Sequence, residues 1–108
     1  MKFNKAEALR RFKEVGKVFY VTYHEIENTK VQYRKVAHVQ GNAIAFDRFN
    51  TEETYKLAQD NPQRNGSWLW FDQKHDRFLP LDNGDIELYY YDEENDKNVL
   101  KMTYAVEK

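Results

Sequence analysis

The chain contains three histidines that could bind a metal ion: His24, His38 and His75. The predicted strand pairing places His24 and His38 in one hairpin, and His75 on a turn in the other half of the chain. None of them has a second histidine at the spacing that metal sites use. The chain also lacks cysteine, which excludes disulfides, thiol chemistry and thiolate ligands. We therefore expect neither a metal nor a cofactor.

A pair of aspartates flanks a predicted two-residue turn, with Asp82 and Asp85 on either side of Asn83-Gly84. Like charges directly opposite each other are destabilising, so the pair favours a cation or a basic side chain beside it. Aspartate is also a common turn residue in its own right. The spacing Asp85-x-Glu87 resembles the acidic pair of metal-dependent nucleases, but Tyr89 occupies the position where such sites usually carry a lysine. We therefore do not expect a nuclease.

Nucleophilic catalysis and phosphate binding have little support in the sequence. Ser67 is the one serine, and it is followed by Trp68 with no glycine elbow around it. The four glycines are isolated from one another, so they form no phosphate-binding loop. We expect a protein that is not an enzyme.

Charge is balanced over the whole chain but not along it. The net charge is −1, from 17 basic and 18 acidic residues. Residues 1–50 hold ten basic and five acidic residues (+5), whereas residues 51–108 hold seven and thirteen (−6). The densest acidic run comprises Asp82, Asp85, Glu87, Asp92, Glu93, Glu94 and Asp96. Such a run is either a solvated rim around turns or an acidic surface for a basic partner.

The length of 108 residues predicts a single domain spanning 1–108. No apolar run approaches the roughly 20 residues of a membrane-spanning helix, and the start of the chain lacks the apolar stretch of a signal peptide. We expect a cytoplasmic protein that does not contact a membrane.

The first predicted helix begins at a capping box, with Asn4 as the cap and Glu7 three residues later. Gly16 is its predicted end. Its apolar stripe is made of Ala8, Leu9, Phe12 and Val15, and its other face is basic, with Lys5, Arg10, Arg11, Lys13 and Lys17.

Two strands follow, over 17–25 and 30–40, and a tight turn at Gly41-Asn42 leads into a third. This turn would pair Val39 with Ile44 and Ala37 with Phe46. A second capping box at Asn50 predicts another helix, which Asp60-Asn61-Pro62 ends.

The last forty residues predict a four-stranded antiparallel meander. Its turns would place Trp70 opposite Leu79, Trp68 opposite Leu81, Leu79 opposite Leu88, Leu81 opposite Ile86, Tyr90 opposite Leu100 and Leu88 opposite Met102. These residues share one face, so Trp68, Trp70 and Tyr90 are predicted to be in the core. The other face collects Leu69, Phe71, Phe78, Tyr89, Tyr91 and Val99. The predicted fold class is α+β: two helices packed on antiparallel meanders, in the order α-β-β-β-α-β-β-β-β.

The order helix, three strands, helix over residues 4–60 resembles that of double-stranded RNA-binding domains. In that family a lysine-rich start of the second helix grips phosphates, whereas this chain has Thr51-Glu52-Glu53 there. A nucleic-acid-binding module remains an alternative function, and its candidate residues are Arg10, Arg11, Lys13, Arg34 and Lys35.

The surplus of aromatic residues, eight Tyr, seven Phe and two Trp, favours a binding protein. Phe78, Tyr89 and Tyr91 would stack bases, anchor a protein interface or pack as a second core layer. We expect a non-catalytic protein that binds a basic protein partner through an aromatic and acidic surface. That surface would consist of Phe78, Tyr89, Tyr91, Asp82, Asp85, Glu87, Asp92, Glu93 and Glu94.

In size and charge the chain resembles accessory proteins of phages and mobile elements, including anti-CRISPR proteins. The resemblance implies inhibition of a basic, nucleic-acid-handling host protein. A self-associating structural protein is the other alternative, because the oppositely charged halves could dock or the second apolar face could dimerise.

Overall fold

The structure, a computed structural model, describes residues 2–24, 32–49 and 66–106. Within these ranges the chain forms one helix, α1 (Lys5–Phe12), and seven strands. The strands are β1 (Val18–Tyr23), β2 (Gln32–Gln40), β3 (Ala43–Phe49), β4 (Gly66–Trp70), β5 (Asp76–Pro80), β6 (Ile86–Asp92) and β7 (Lys97–Val106). All neighbouring strands are antiparallel, and they form one sheet in the order β4-β3-β2-β1-β7-β6-β5.

The predicted α+β class is wrong, because the described chain is mainly β, with a single short helix against a seven-stranded sheet. The two meanders are parts of one sheet, which β1 and β7 join by pairing from Phe19–Val106 to Tyr23–Met102. The predicted second helix, from Asn50 to Pro62, lies outside the described residues. Helix α1 has eight residues, too few to cross a membrane, and the described ranges contain no other helix.

The sequence predicts that strand β4 pairs with β5. In the structure, β4 pairs with β3 instead. The observed register places Leu69 beside Ile44, so both enter the core, and sets Trp70 and Trp68 beside Ala43 and Ala45. The predicted pairs Trp70–Leu79 and Trp68–Leu81 are therefore wrong. Because the pairing with β3 is nonlocal, no turn signal next to β4 could reveal it.

The β5–β6 hairpin is present, but its register is one residue away from the prediction. Leu81 faces Asp85 through a hydrogen bond from its N–H to the Asp85 carbonyl (2.8 Å), so the loop has three residues. Gly84, at φ +97°, supplies the left-handed residue that closes such a loop. Phe78 therefore pairs with Leu88 and enters the core, because a slip of one residue exchanges the faces of a strand.

Two β-bulges explain the remaining register differences. The predicted pairs Val39–Ile44 and Leu88–Met102 are confirmed. A bulge between Val36 and His38 pairs Phe46 with Val36 instead of Ala37. A second bulge beside Leu88 pairs Tyr90 with Val99 instead of Leu100. Each bulge adds one unpaired residue to one strand, so the register on its two sides differs by one residue.

The sheet is rolled around the side chain of Phe12. In a flat sheet, six strand spacings would put β4 and β5 about 29 Å apart. Yet the ring of Phe71, directly after β4, stacks on Phe78 of β5 with a centroid distance of 4.5 Å. The face that carries Phe78, and on which α1 packs, is called the concave face below, and the opposite one the convex face.

Phe12 is completely buried and contacts four rings on the concave side. Its centroid lies 5.0 Å from Phe19 and Tyr104, 5.6 Å from Phe71 and 6.0 Å from Phe46. These rings come from β1, β7, the end of β4 and β3, so a single helical side chain joins distant parts of the sheet. Aromatic pairs at such distances are favourable beyond the area that they bury.

Helix α1 begins as predicted but ends earlier. Asn4 Oδ1 accepts a hydrogen bond from the Glu7 N–H (3.0 Å), which confirms the cap. The helix stops at Phe12, before Gly16, and Val15 is 64% exposed, so its predicted place in the apolar stripe is wrong. Arg11 Nη1 donates to the carbonyls of Leu81 (2.7 Å) and Asp85 (3.2 Å), which ties α1 to the β5–β6 loop.

Replacing Phe12 with alanine should lower the free energy of unfolding by about 3–5 kcal/mol, because the cavity left behind cannot be filled by a rigid sheet. Urea unfolding followed by circular dichroism measures this loss. Val15→Ala is the matched control, since it shortens an exposed apolar side chain three residues away, and it should cost less than about 0.5 kcal/mol. Equal losses for the two variants would contradict the rolled core.

Candidate functional site

The aromatic part of the predicted binding surface does not form one patch. Phe78 is 1% exposed and belongs to the core, so its assignment to a surface is wrong. The cause is the one-residue register shift, which turns Phe78 to the concave face. Tyr89 and Tyr91 lie on the convex face, where each is partly exposed.

The two tyrosines are held by neighbours. The ring of Tyr89 meets Phe3 edge-on at 5.4 Å, and its hydroxyl donates to Glu87 Oε1 (3.4 Å). The Tyr91 hydroxyl donates to Asp96 Oδ1 (2.5 Å), and the Arg77 guanidinium lies 5.4 Å from its ring. Burial, then the nearby Glu87 charge, raises the pKa of Tyr89, and the hydrogen bond to Asp96 raises the pKa of Tyr91.

The acidic run is divided between the two ends of β6, whose seven residues span about 20 Å. At the first end, Asp82 is exposed, whereas Asp85 is used by the fold. Its Oδ1 accepts a hydrogen bond from the Val106 N–H (3.1 Å), and its own N–H donates to Asn83 Oδ1 (2.9 Å). Leu81, and not Asp82, faces Asp85, so the predicted carboxylate pair is not formed.

At the second end of β6, the acidic turn 92–96 retains exposed carboxylates. Asp92 accepts the N–H groups of Glu94 (3.1 Å) and Asn95 (3.4 Å) and the Asn95 side-chain amide (2.7 Å). The hydrogen bond from that side chain is the main cause of its lowered pKa. Glu93 lies 3.9 Å from Lys74 Nζ and 3.8 Å from His75 Nδ1, and Glu94 is exposed. This turn therefore lies beside the loop 71–75 that follows Trp70.

Three arginines of the predicted nucleic-acid surface are occupied elsewhere. Arg34 is 5% exposed on the concave face, where its guanidinium donates to the hydroxyls of Tyr23 and Tyr104. Its assignment to a phosphate-binding surface is therefore wrong. Arg11 holds the β5–β6 loop, and Arg10 forms a two-pronged hydrogen bond with Glu7 at 2.6 and 2.8 Å.

The hydrogen bonds from Arg10 and Arg11 lower the pKa of Glu7 to about 2, and Glu7 in turn raises the pKa of Arg10. Of the remaining candidates, Lys13 is exposed just after α1, on the concave side, whereas Lys35 is partly exposed on the convex face. The five basic residues therefore do not share a surface.

The structure instead exposes two residues that the sequence analysis placed in the core. Trp68 and Trp70 are 47% and 50% exposed on the convex face of β4. Their rings stack at 5.6 Å with an interplanar angle of 22°, and His38 meets Trp68 edge-on at 6.5 Å. Their partners on β3 are the small residues Ala43 and Ala45, of which Ala43 is buried and Ala45 is partly exposed. We call Trp68, Trp70, His38 and Ala45 the tryptophan surface.

A second group of side chains surrounds Tyr90 near the end of β6. Lys101 Nζ lies 4.5 Å from the Tyr90 ring, His75 is 5.3 Å away, and Asp76 is the cross-strand partner of Tyr90. Burial raises the pKa of Asp76, and the nearby charges of Lys101, Lys5, Arg77 and His75 oppose this effect. Burial therefore makes Asp76 a weaker acid than an exposed aspartate, and the group contains neither a serine hydroxyl nor a cysteine thiol.

Neither this group nor any other set of side chains brings three metal-ligand residues together within the described ranges. His24 lies apart from the other two histidines, with its Nε2 2.7 Å from Thr103 Oγ1. In the part of the chain that the structure describes, no carboxylate contacts the His24 ring, so this pair lacks the third group that orients a catalytic base.

Neither a family model, nor a curated protein, nor a solved structure significantly resembles this chain. The assignment of a function therefore depends on the geometry of the described residues.

Replacing Asp76 with asparagine should raise the free energy of unfolding at neutral pH. Because its pKa is raised in the folded chain, the stabilisation associated with protonated Asp76 is complete below its ordinary value of 3.8 and is lost as the pH rises through the raised pKa. Asparagine imitates the protonated form at every pH, so the gain should shrink as the pH falls toward 3.8. Urea unfolding over a pH series measures it.

The control for this series is Asp82→Asn, which changes an exposed aspartate and should alter stability little. Destabilisation by Asp76→Asn at neutral pH would show that attraction to Lys101 and Lys5 outweighs the cost of burial, and would contradict the prediction.

Proposed function

We propose that this protein is a non-catalytic binding protein whose tryptophan surface docks on another protein. The observation that carries the proposal is the exposure of Trp68 and Trp70, each of which has about half of its surface in water. Tryptophan is the residue most enriched among those that dominate the binding energy of protein interfaces. A contiguous exposed apolar patch is a recognised mark of an interaction site.

The support under the two indoles suits this role. Trp68 and Trp70 are two residues apart on β4, so both project from the same face of a paired strand rather than from a loop. Their mutual stacking and the contact of Trp68 with His38 restrict their rotamers before any partner arrives. Less side-chain entropy is then lost on binding, which favours affinity.

The partner is expected to be basic. The acidic turn 92–96 lies beside the loop that follows Trp70, and it presents Glu93, Glu94 and Asp96 to solvent. Such a charge pattern accelerates encounter with a basic protein. Arginine or lysine side chains of the partner could also lie over the indole faces, since tryptophan is the best cation–π acceptor. Inhibition of a host nucleic-acid-handling protein and a cytoplasmic location stay predictions.

The nucleic-acid alternative loses the residues on which it depended. Arg34 is in the core, Arg11 holds a loop, and Lys13 and Lys35 are on different sides of the sheet. Self-association through the convex face is a further outcome that the same surface allows, and the experiment below separates it from capture of another protein.

The proposal is tested by affinity capture from a bacterial lysate, with Trp68→Thr/Trp70→Thr compared with the unmodified chain. Threonine keeps a high strand propensity, and circular dichroism confirms the fold of each variant. We expect the unmodified chain to retain a basic protein that the double variant loses. The interaction should weaken as salt is raised, because exposed charges are screened.

Tyr89→Thr is the matched control. It removes a partly exposed aromatic side chain of β6 from the convex face, which also carries the two tryptophans, and it tests the surface predicted from the sequence. Capture should survive this change. The proposal fails if the two tryptophans can be removed without loss of a captured protein, or if the retained species is only the chain itself.

A further inference from the structure

We propose that Asn83 is a site of spontaneous covalent modification, in which its side-chain amide is converted to a carboxylate and the junction of β5, β6 and β7 is weakened. The site lies in the three-residue loop 82–84, at the opposite end of β6 from the acidic turn 92–96. It is independent of the function proposed for the tryptophan surface.

The chemistry requires an asparagine followed by a residue that leaves its backbone nitrogen accessible, and Gly84 has no side chain to obstruct it. The Gly84 nitrogen attacks Asn83 Cγ, and a carbon–nitrogen bond closes a five-membered succinimide. The side-chain nitrogen leaves as ammonia and carries away the proton of the Gly84 amide. A water molecule then adds to either ring carbonyl, and the ring opens to aspartate or to isoaspartate.

The loop geometry favours this attack in one respect and delays it in another. Asn83 is exposed, so water and ammonia exchange freely. The Asp85 N–H donates to Asn83 Oδ1 (2.9 Å), which holds the side chain over the loop and polarises its carbonyl. The Gly84 N–H, however, donates to the Leu81 carbonyl (3.2 Å), so this hydrogen bond must open before the nitrogen can attack.

The modification would act on a contact that the fold uses. Asn83 Nδ2 donates to Asp85 Oδ2 (3.1 Å), and a carboxylate at position 83 replaces this donor with a second negative charge. Like charges in contact are destabilising. Asp85 Oδ1 accepts a hydrogen bond from the Val106 N–H at the end of β7, and the backbone carbonyl of Asp85 accepts one from Arg11. Repulsion at Asp85 therefore reaches both β7 and α1.

Peptide mapping of the purified full chain after incubation at mildly alkaline pH tests the site. The tryptic peptide 78–97 holds Asn83 and Asn95, and it excludes the other Asn-Gly pair, Asn65-Gly66. We expect fragment ions to show conversion at Asn83 several-fold faster than at Asn95, which precedes a bulkier aspartate. Isoaspartate should be present among the products. Equal rates at the two positions, or an intact Asn83, would overturn the proposal.

The consequence is tested separately with Asn83→Asp, which imitates one product. Its unfolding midpoint should be lower than that of Asn83→Ser, which keeps a hydroxyl acceptor for the loop without adding charge. Adding Asp85→Asn to Asn83→Asp should restore the midpoint, because it keeps the acceptor for Val106 and removes the repulsion. If Asn83→Asp unfolds at the same midpoint as the serine variant, modification at this site does not weaken the junction.

Discussion

The packing of Phe12 against four aromatic rings is the interaction on which the rest of the structure depends. The described residues form a seven-stranded sheet and one short helix, and they bury a core because the sheet bends toward that helix. Phe12 makes this possible because its ring reaches Phe19, Phe46, Phe71 and Tyr104 at centroid distances of 5.0–6.0 Å. Tyr104 is so well enclosed that burial raises its pKa to about 12. The hydrogen bond from Arg11 to the β5–β6 loop and the Asn4 cap hold the helix where Phe12 can pack against these rings.

The bending of the sheet gives its two faces different roles. The concave face carries the large buried apolar side chains together with Arg34, whose guanidinium contacts tyrosine hydroxyls and aromatic rings. The convex face has no helix of the described chain against it, and its largest side chains, Trp68 and Trp70, remain half in water. The buried core of the described residues does not include these indoles, and their exposure links the fold to the proposed function.

The sequence predicts local features of this fold well and nonlocal ones poorly. The cap at Asn4, the turn at Gly41-Asn42 and the pair Leu88–Met102 follow from short-range signals, and all three are confirmed. The sequence predicts two loop residues at the Asn-Gly turn, but Gly84 closes a loop of three, and this one-residue difference in register moves Phe78 to the core. The two bulges, whose unpaired residues are Ala37 and Lys101, cannot be predicted from the pattern of apolar residues.

The candidate site was misplaced for the same reason. Alternation in Trp68-Leu69-Trp70 shows that the indoles share a face, but which face is buried depends on the partner of β4. With β5 as the partner, the tryptophans would be in the core, and with β3 it is Leu69 that enters the core beside Ile44. Helical periodicity likewise predicts Val15 in the apolar stripe, although the helix ends at Phe12.

Tryptophan fluorescence tests the account most directly, because Trp68 and Trp70 are the two tryptophans of the chain. If the sheet curls around Phe12 with the indoles on its outer side, acrylamide should readily quench the native protein, and emission should shift little on unfolding in urea. A native emission that is blue-shifted and protected from acrylamide, and that moves to the red only on unfolding, would place the indoles inside and contradict the assignment of the two faces.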